Sequence, residues 1–157
     1  MKNGKLKKIS ARFTGKKILI IGDLILDEFL WGEVSRISPE APVPVVWVRS
    51  ESFMPGGAAN VANNIRALGG EAYLTGVIGS DGRGRILKEL LMAKGLGVEG
   101  IVMDAERPTI LKTRVIAHHQ QVVRIDKEKT ESLKPESINR IVSYVKKIIK
   151  DIDAVII

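Results

Sequence analysis

The chain contains no cysteine and only two histidines. That excludes disulfides, thiolate metal sites and cysteine nucleophiles, and it fits a cytoplasmic protein. His118 and His119 are adjacent and would point to opposite faces of a strand, with no carboxylate cluster at ligand spacing. They read as turn residues, and no metal is expected. Aromatic residues make up 4% of the sequence, too few for a stacking platform on single-stranded nucleic acid. No apolar run approaches the roughly 18 residues that span a bilayer. The basic start before Ile18–Ile21 has the look of a signal peptide, but the run is short and Asp23 interrupts it. No G-x-x-x-x-G-K-[ST] loop is present to hold nucleotide phosphates. Acidic residues are missing from positions 1–17, where Lys2, Lys5, Lys7, Lys8, Arg12, Lys16 and Lys17 supply the whole net charge of +7. The rest of the chain is formally neutral. Residues 1–16 therefore read as a solubilising arm, and neither a nucleic acid nor a membrane is expected as partner.

What is present suits one globular unit of 157 residues with a real core: 45% hydrophobic and 27% charged residues. Lys17–Ile21 reads as a buried strand ending at Gly22-Asp23. Leu24–Trp31 stays ambiguous between helix and strand. Val43–Arg49 is extended, and Pro39, Pro42 and Pro44 restrict this region to a sheet edge or a flap. Ala58–Leu68 has a helical pattern with Val61, Ile65 and Leu68 on one face, closed by Gly69-Gly70. Tyr73–Ile78 is a strand. Asp81 is placed to cap a helix over Arg83–Lys94. Ile101–Met103 is a short strand. Thr109–Ala117 and Gln121–Asp126 alternate around His118-His119-Gln120 and predict a hairpin. Ser137–Ile149 is a helix with Ile138, Ile141, Val142, Val145, Ile148 and Ile149 on one stripe. Ala154–Ile157 starts another buried strand. Strands alternating with helices predict a mainly parallel α/β sheet. The segments 33–49 and 109–126 break that alternation and predict a small β lid. An apolar strand at the end of the chain predicts the N-terminal part of a longer protein.

The most informative run is Pro55-Gly56-Gly57-Ala58-Ala59-Asn60-Val61-Ala62, between a strand and a helix. Two glycines let the backbone approach a ligand closely, and the helix behind them points amide donors at it. With Gly69 and Gly79 at fixed distances beyond, this pattern resembles the first signature of the ribokinase-like (PfkB) carbohydrate kinases. Four further runs resemble the heptose kinase branch of that family: Gly22–Asp27, Ser35–Val45, Thr109–Arg114 and Gln120–Asp126. The resemblance covers residues 17–157. It implies a Rossmann-like ribokinase fold with a β lid that mates with a second subunit as a homodimer. It also implies ATP with Mg2+ as phosphoryl donor and a sugar phosphate, D-glycero-D-manno-heptose 7-phosphate, as acceptor, phosphorylated at O1.

The resemblance places a sugar-binding carboxylate at Asp27, and a carboxylate accepts several hydroxyl hydrogen bonds. A loop acid or helix cap is the plain alternative, and the same two readings apply to Asp23. Gly56, Gly57 and Asn60 match the sugar-contacting turn, although the glycines also suit a turn needed for packing alone. A sugar phosphate needs a cation, and Lys112, Arg114 and Arg124 on the hairpin are the candidates. Lys112 and Arg114 share a strand face. Gln121 and Gln120 add candidate hydrogen bonds, and Arg36 on the flap is a further candidate. Trp31 and Trp47 read as core or interface residues. Gly79–Gly84 is glycine-rich but reads as a loop and helix cap. The family's general base lies in a Gly-Ala-Gly-Asp motif, which this sequence does not contain, so no catalytic residue is assigned and the chain is expected to carry only the acceptor half of a kinase site. Kinases of other sugars and a non-catalytic sugar-binding or dimerisation module remain as alternatives.

Overall fold

A computed structural model describes residues 11–157. Most of the basic arm therefore lies outside the described residues. Its end, predicted as a tail, turns back onto the body: the Gly15 amide donates to the Gly69 carbonyl at 2.9 Å, and Lys16 Nζ pairs with Asp153 at 2.7 Å.

Four parallel strands form the first sheet in the order β5-β4-β1-β8. They are β1 (Lys17–Ile21), β4 (Glu71–Gly79), β5 (Ile101–Asp104) and β8 (Ala154–Ile156). Helices α1 (Gly57–Ala67), α2 (Gly82–Ala93) and α3 (Pro135–Ile148) connect or flank them. Continuous apolar runs such as Leu19-Ile20 and Val77-Ile78 suit strands covered on both faces. The core gathers Ile20, Leu74 and Ile78 of this sheet with Leu87 and Leu91 of α2.

The second sheet has the order β3-β2-β6-β7, from β2 (Leu24–Ile37), β3 (Pro44–Gly56), β6 (Ile110–Ala117) and β7 (Gln120–Lys127). It is the lid, and it begins earlier than the segment around 33–49. The ambiguous Leu24–Trp31 stretch is strand, held by β3 on one side and β6 on the other. The three prolines fall in the turn before β3 and at its first residue. β3 is an edge strand, as the missing amide donors require. His118 and His119 make the hairpin turn with φ of 49° and 64°.

Three packing expectations are corrected. Helix α1 buries Ala58, Ala59 and Ala62, while Leu68 stands exposed. Small residues let the helix sit close on the sheet, with Val61 and Ile65 half-buried beside them. Helix α3 buries only Ser137 fully; of its expected stripe Ile141, Val145 and Ile148 are half-buried, while Ile138, Val142 and, just past the helix, Ile149 are exposed. β8 pairs with β1 at the sheet edge and is exposed along its length.

Asp81 ties the two sheets together. It caps α2 by accepting from the Gly84 amide at 2.8 Å, and it also accepts from the Thr109 amide at 3.0 Å and hydroxyl at 2.7 Å. Thr109, fully buried, accepts in turn from the Gly79 amide at 3.0 Å. Burial pushes the Asp81 carboxyl up, but the bonds from Thr109 and Gly84, with Lys127 nearby, outweigh it and hold it below its ordinary 3.8. The stability this group contributes is therefore present above pH 3.8 and lost as pH falls through the lower folded value. Asp81→Ala is expected to lower unfolding free energy by about 1–2 kcal/mol at pH 7. In urea titrations the gap to wild type should shrink steadily below pH 3.8.

Candidate functional site

The site grows from the pleat of β2. Successive side chains of a strand point to opposite faces, so Asp27 and Glu28 part company. Glu28 turns inward and is buried, where its carboxylate accepts from the Thr113 hydroxyl at 2.5 Å and pairs with Arg83 of α2 at 2.6 Å. The Arg83 guanidinium also lies over the Phe53 ring at 5.0 Å. Asp27 turns outward, registered between Met54 of β3 and Lys112 of β6.

The Gly56-Gly57 turn fits against this carboxylate. A Cβ on Gly56 would fall 2.5 Å from Asp27 Oδ2 and 3.2 Å from Ile25 Cβ. The glycine is thus required by the space that the Asp27 carboxylate fills, its own φ of −114° being open to any residue. Gly57 differs: its φ is +54°, and a Cβ there would strike the Asp23 carbonyl. That carbonyl accepts from the Ala58 amide at 2.9 Å, which fixes the start of α1 beside β2. No side chain caps α1 and its first turn holds no acid, so the positive end of the helix dipole is left without a side-chain anion at this corner. Asn60 stands exposed on that first turn.

The hairpin brings its cations to the same lid face. Arg114 Nη1 lies 2.5 Å from Asp27 Oδ1, with its guanidinium 5.3 Å over Phe29. Arg124 is registered opposite Arg114, and Lys112 opposite Asp126. Asp126 accepts from Lys112 Nζ at 2.9 Å and pairs with Arg124 Nε at 2.9 Å. Lys112 first and then Arg124 hold the Asp126 carboxyl below its ordinary value. Gln121 pairs with Ile116, two residues beyond Arg114 toward the turn. At a strand's rise that is about 7 Å farther from Asp27. Gln120 and Arg36 are exposed at the far end of the lid, and Trp31 and Trp47 are also surface residues of it.

Asp23 meets this corner through its backbone carbonyl. It lines a cleft of about 450 Å3 with Ile21, Gly22 and Gly76 at the strand ends and the 128–133 segment. The Gly79–Gly84 loop does not fit a nucleotide phosphate: Asp81 is committed to Thr109, and Arg83, its one cation, to Glu28.

The family follows from this fold and these motifs together. Residues 16–157 match the model for pfkB family carbohydrate kinases. The chain belongs to that family. A curated relative, the bifunctional protein HldE of Citrifermentans bemidjiense, is 44% identical over 157 residues, covering 100% of this chain and 32% of the relative. The chain thus spans about a third of the length of the curated relatives it matches. Among solved structures, the phosphofructokinase-2 of Escherichia coli, in complex with substrates and products, has a TM-score of 0.62 at 20% identity, covering 85% of this chain and 41% of that one. A ribokinase from Cryptococcus neoformans in complex with ADP has a TM-score of 0.52 at 23% identity, covering 71% and 34%. Both show the ribokinase fold.

Sequence reasoning missed Glu28, Thr113, Arg83 and Phe29. The signal was present in Asp27-Glu28: two adjacent acids on a strand point to opposite faces, and in an otherwise apolar stretch covered on one face one of them turns inward. Gly56→Ala is expected to fold, with a loss of about 1–2 kcal/mol from crowding. It should also displace the Asp27 carboxylate from Arg114, which a crystal structure of the variant would reveal.

Proposed function

We propose that this chain is the acceptor-binding part of an ATP-dependent carbohydrate kinase that phosphorylates D-glycero-β-D-manno-heptose 7-phosphate at O1, a step toward ADP-heptose for the lipopolysaccharide core. The observation that carries the reading is the company Asp27 keeps: a carboxylate for hydroxyls, an uncapped helix start, and three cations on one lid face. A neutral sugar would need the first, and a sugar phosphate needs all of them. The runs quoted for the heptose kinase branch and the relatives named HldE support the choice of sugar.

Phosphoryl transfer depends mostly on positioning and charge stabilisation. In this reading Asp27 and Asn60 orient the sugar by its hydroxyls, and the Gly56-Gly57 turn lets the backbone approach. At least one of Lys112, Arg114 and Arg124 holds the phosphate the acceptor already carries. Gln121 is given a lesser place, at the periphery. The donor, ATP with Mg2+, and the base that takes the hydroxyl proton belong to residues outside this chain. Residues 1–157 alone are accordingly expected to transfer no phosphate to any sugar.

The lid also supports a homodimer. Trp31, Ile37, Val43, Trp47 and Val48 are exposed along β2, β3 and the turn between them, and large apolar side chains left open at a sheet edge suit a second copy of the lid. No helix among the described residues is long and apolar enough to cross a membrane.

In the full-length protein, heptose 7-phosphate should be preferred over fructose 6-phosphate and ribose in a coupled kinase assay. Asp27→Asn should lower kcat/KM by about 10- to 100-fold, the value of one or two charged hydrogen bonds. Equal turnover of the three sugars, or an unaffected Asp27→Asn variant, would overturn the assignment.

A further inference from the structure

The groups that would bind the acceptor are bound to one another. Lys112 and Arg124 share Asp126, and Lys112 also lies 3.8 Å from Glu128. Arg114 is paired with Asp27 itself. Both partners of that last pair keep about a quarter of their side-chain surface open, at 24% and 21%, so a ligand can reach them.

We propose that the Asp27–Arg114 pair is a specificity latch that a phosphorylated sugar opens by exchange. The sugar's phosphate takes the Arg114 guanidinium, and the released Asp27 carboxylate accepts the sugar's hydroxyls. The inference rests on the acceptor-site reading above and adds what selects a phosphorylated acceptor. Arg114 occupies Asp27 Oδ1 and Gly56 lies against Oδ2, so an unphosphorylated sugar that claims Oδ1 leaves a partly buried cation without its anion, a costly arrangement. A phosphate dianion replaces the lost carboxylate and offers Arg114 two parallel hydrogen bonds.

The surroundings suit such an exchange. Phe29 supports the guanidinium from below, so Arg114 can turn between partners without leaving the lid face. Asp126 holds two cations, so the loss of either leaves it neutralised. Among the described residues, only the Asp27–Arg114 pair joins a candidate hydroxyl acceptor directly to a candidate phosphate-binding cation. Phosphate and sugar therefore help each other to bind, and that coupling is reciprocal.

Calorimetry on the full-length protein tests this with three probes: heptose 7-phosphate, unphosphorylated heptose and inorganic phosphate. In wild type, saturating inorganic phosphate should tighten binding of unphosphorylated heptose by about fivefold or more. In Arg114→Ala, with Asp27 already free, unphosphorylated heptose should bind more tightly than to wild type. Phosphate should then have no further effect, and heptose 7-phosphate should bind more weakly. Phosphate that leaves wild-type heptose affinity unchanged or weakens it would overturn the latch, as would weaker heptose binding by a folded Arg114→Ala. The wild-type phosphate arm needs no variant, so a misfolded Arg114→Ala does not remove the test. Failure of the acceptor-site reading would show separately, as wild type that does not bind heptose 7-phosphate at all.

Discussion

The buried carboxylate of Glu28 is the constraint on which the site depends. An ionised side chain inside a protein costs several kcal/mol unless it is paired and hydrogen-bonded. Here Thr113 of β6 and Arg83 of α2 meet that demand. Because both must stay in place, β2 and β6 are locked in register and the first turn of α2 is locked to the lid. The two-residue period of a strand then settles everything on the other face. With Glu28 inside, Asp27 must be outside, and with Thr113 inside, Lys112 and Arg114 must flank it outside. A one-residue slip would exchange these sets and bury the wrong charges.

The two faces of the lid are consequently different in kind. On the inner face the polar groups are buried, satisfied and cross-linked to α2, and the Asp81–Thr109 cluster adds a second tie where the lid joins the parallel sheet. On the outer face the pairs are partly exposed. The inner face fixes where the outer side chains stand, and the proposed exchange with a substrate would take place on the outer one. Gly56 joins the two ideas: its missing side chain is the space in which the Asp27 carboxylate rests.

Much of this was legible beforehand, in definable places. The Asp81 cap, the hairpin about His118-His119 and the edge position of the proline-rich strand follow from local chemistry, and the structure has them. The Gly56–Ala62 run pointed to the family because many of its positions are fixed at once. The first half of the strand Leu24–Ile37 was not legible, since Asp27-Glu28 breaks the alternation that marks a strand. That break has a tertiary cause: Arg83, fifty-five residues away, makes an inward acid tolerable. Burial on α1 was also misjudged, because size rather than hydrophobicity decided that Ala58, Ala59 and Ala62 should face the sheet. The Asp27–Arg114 pair joins residues far apart in sequence, and spacing alone could not reveal it.

The most direct measurement is a crystal structure of the full-length protein with heptose 7-phosphate bound. Sugar hydroxyls should lie against Asp27 and Asn60 and the phosphate on Arg114, with the Glu28–Thr113–Arg83 cluster unchanged beneath them. A sugar seated in the cleft beside Asp23, with Asp27 still paired to Arg114, would contradict this assignment.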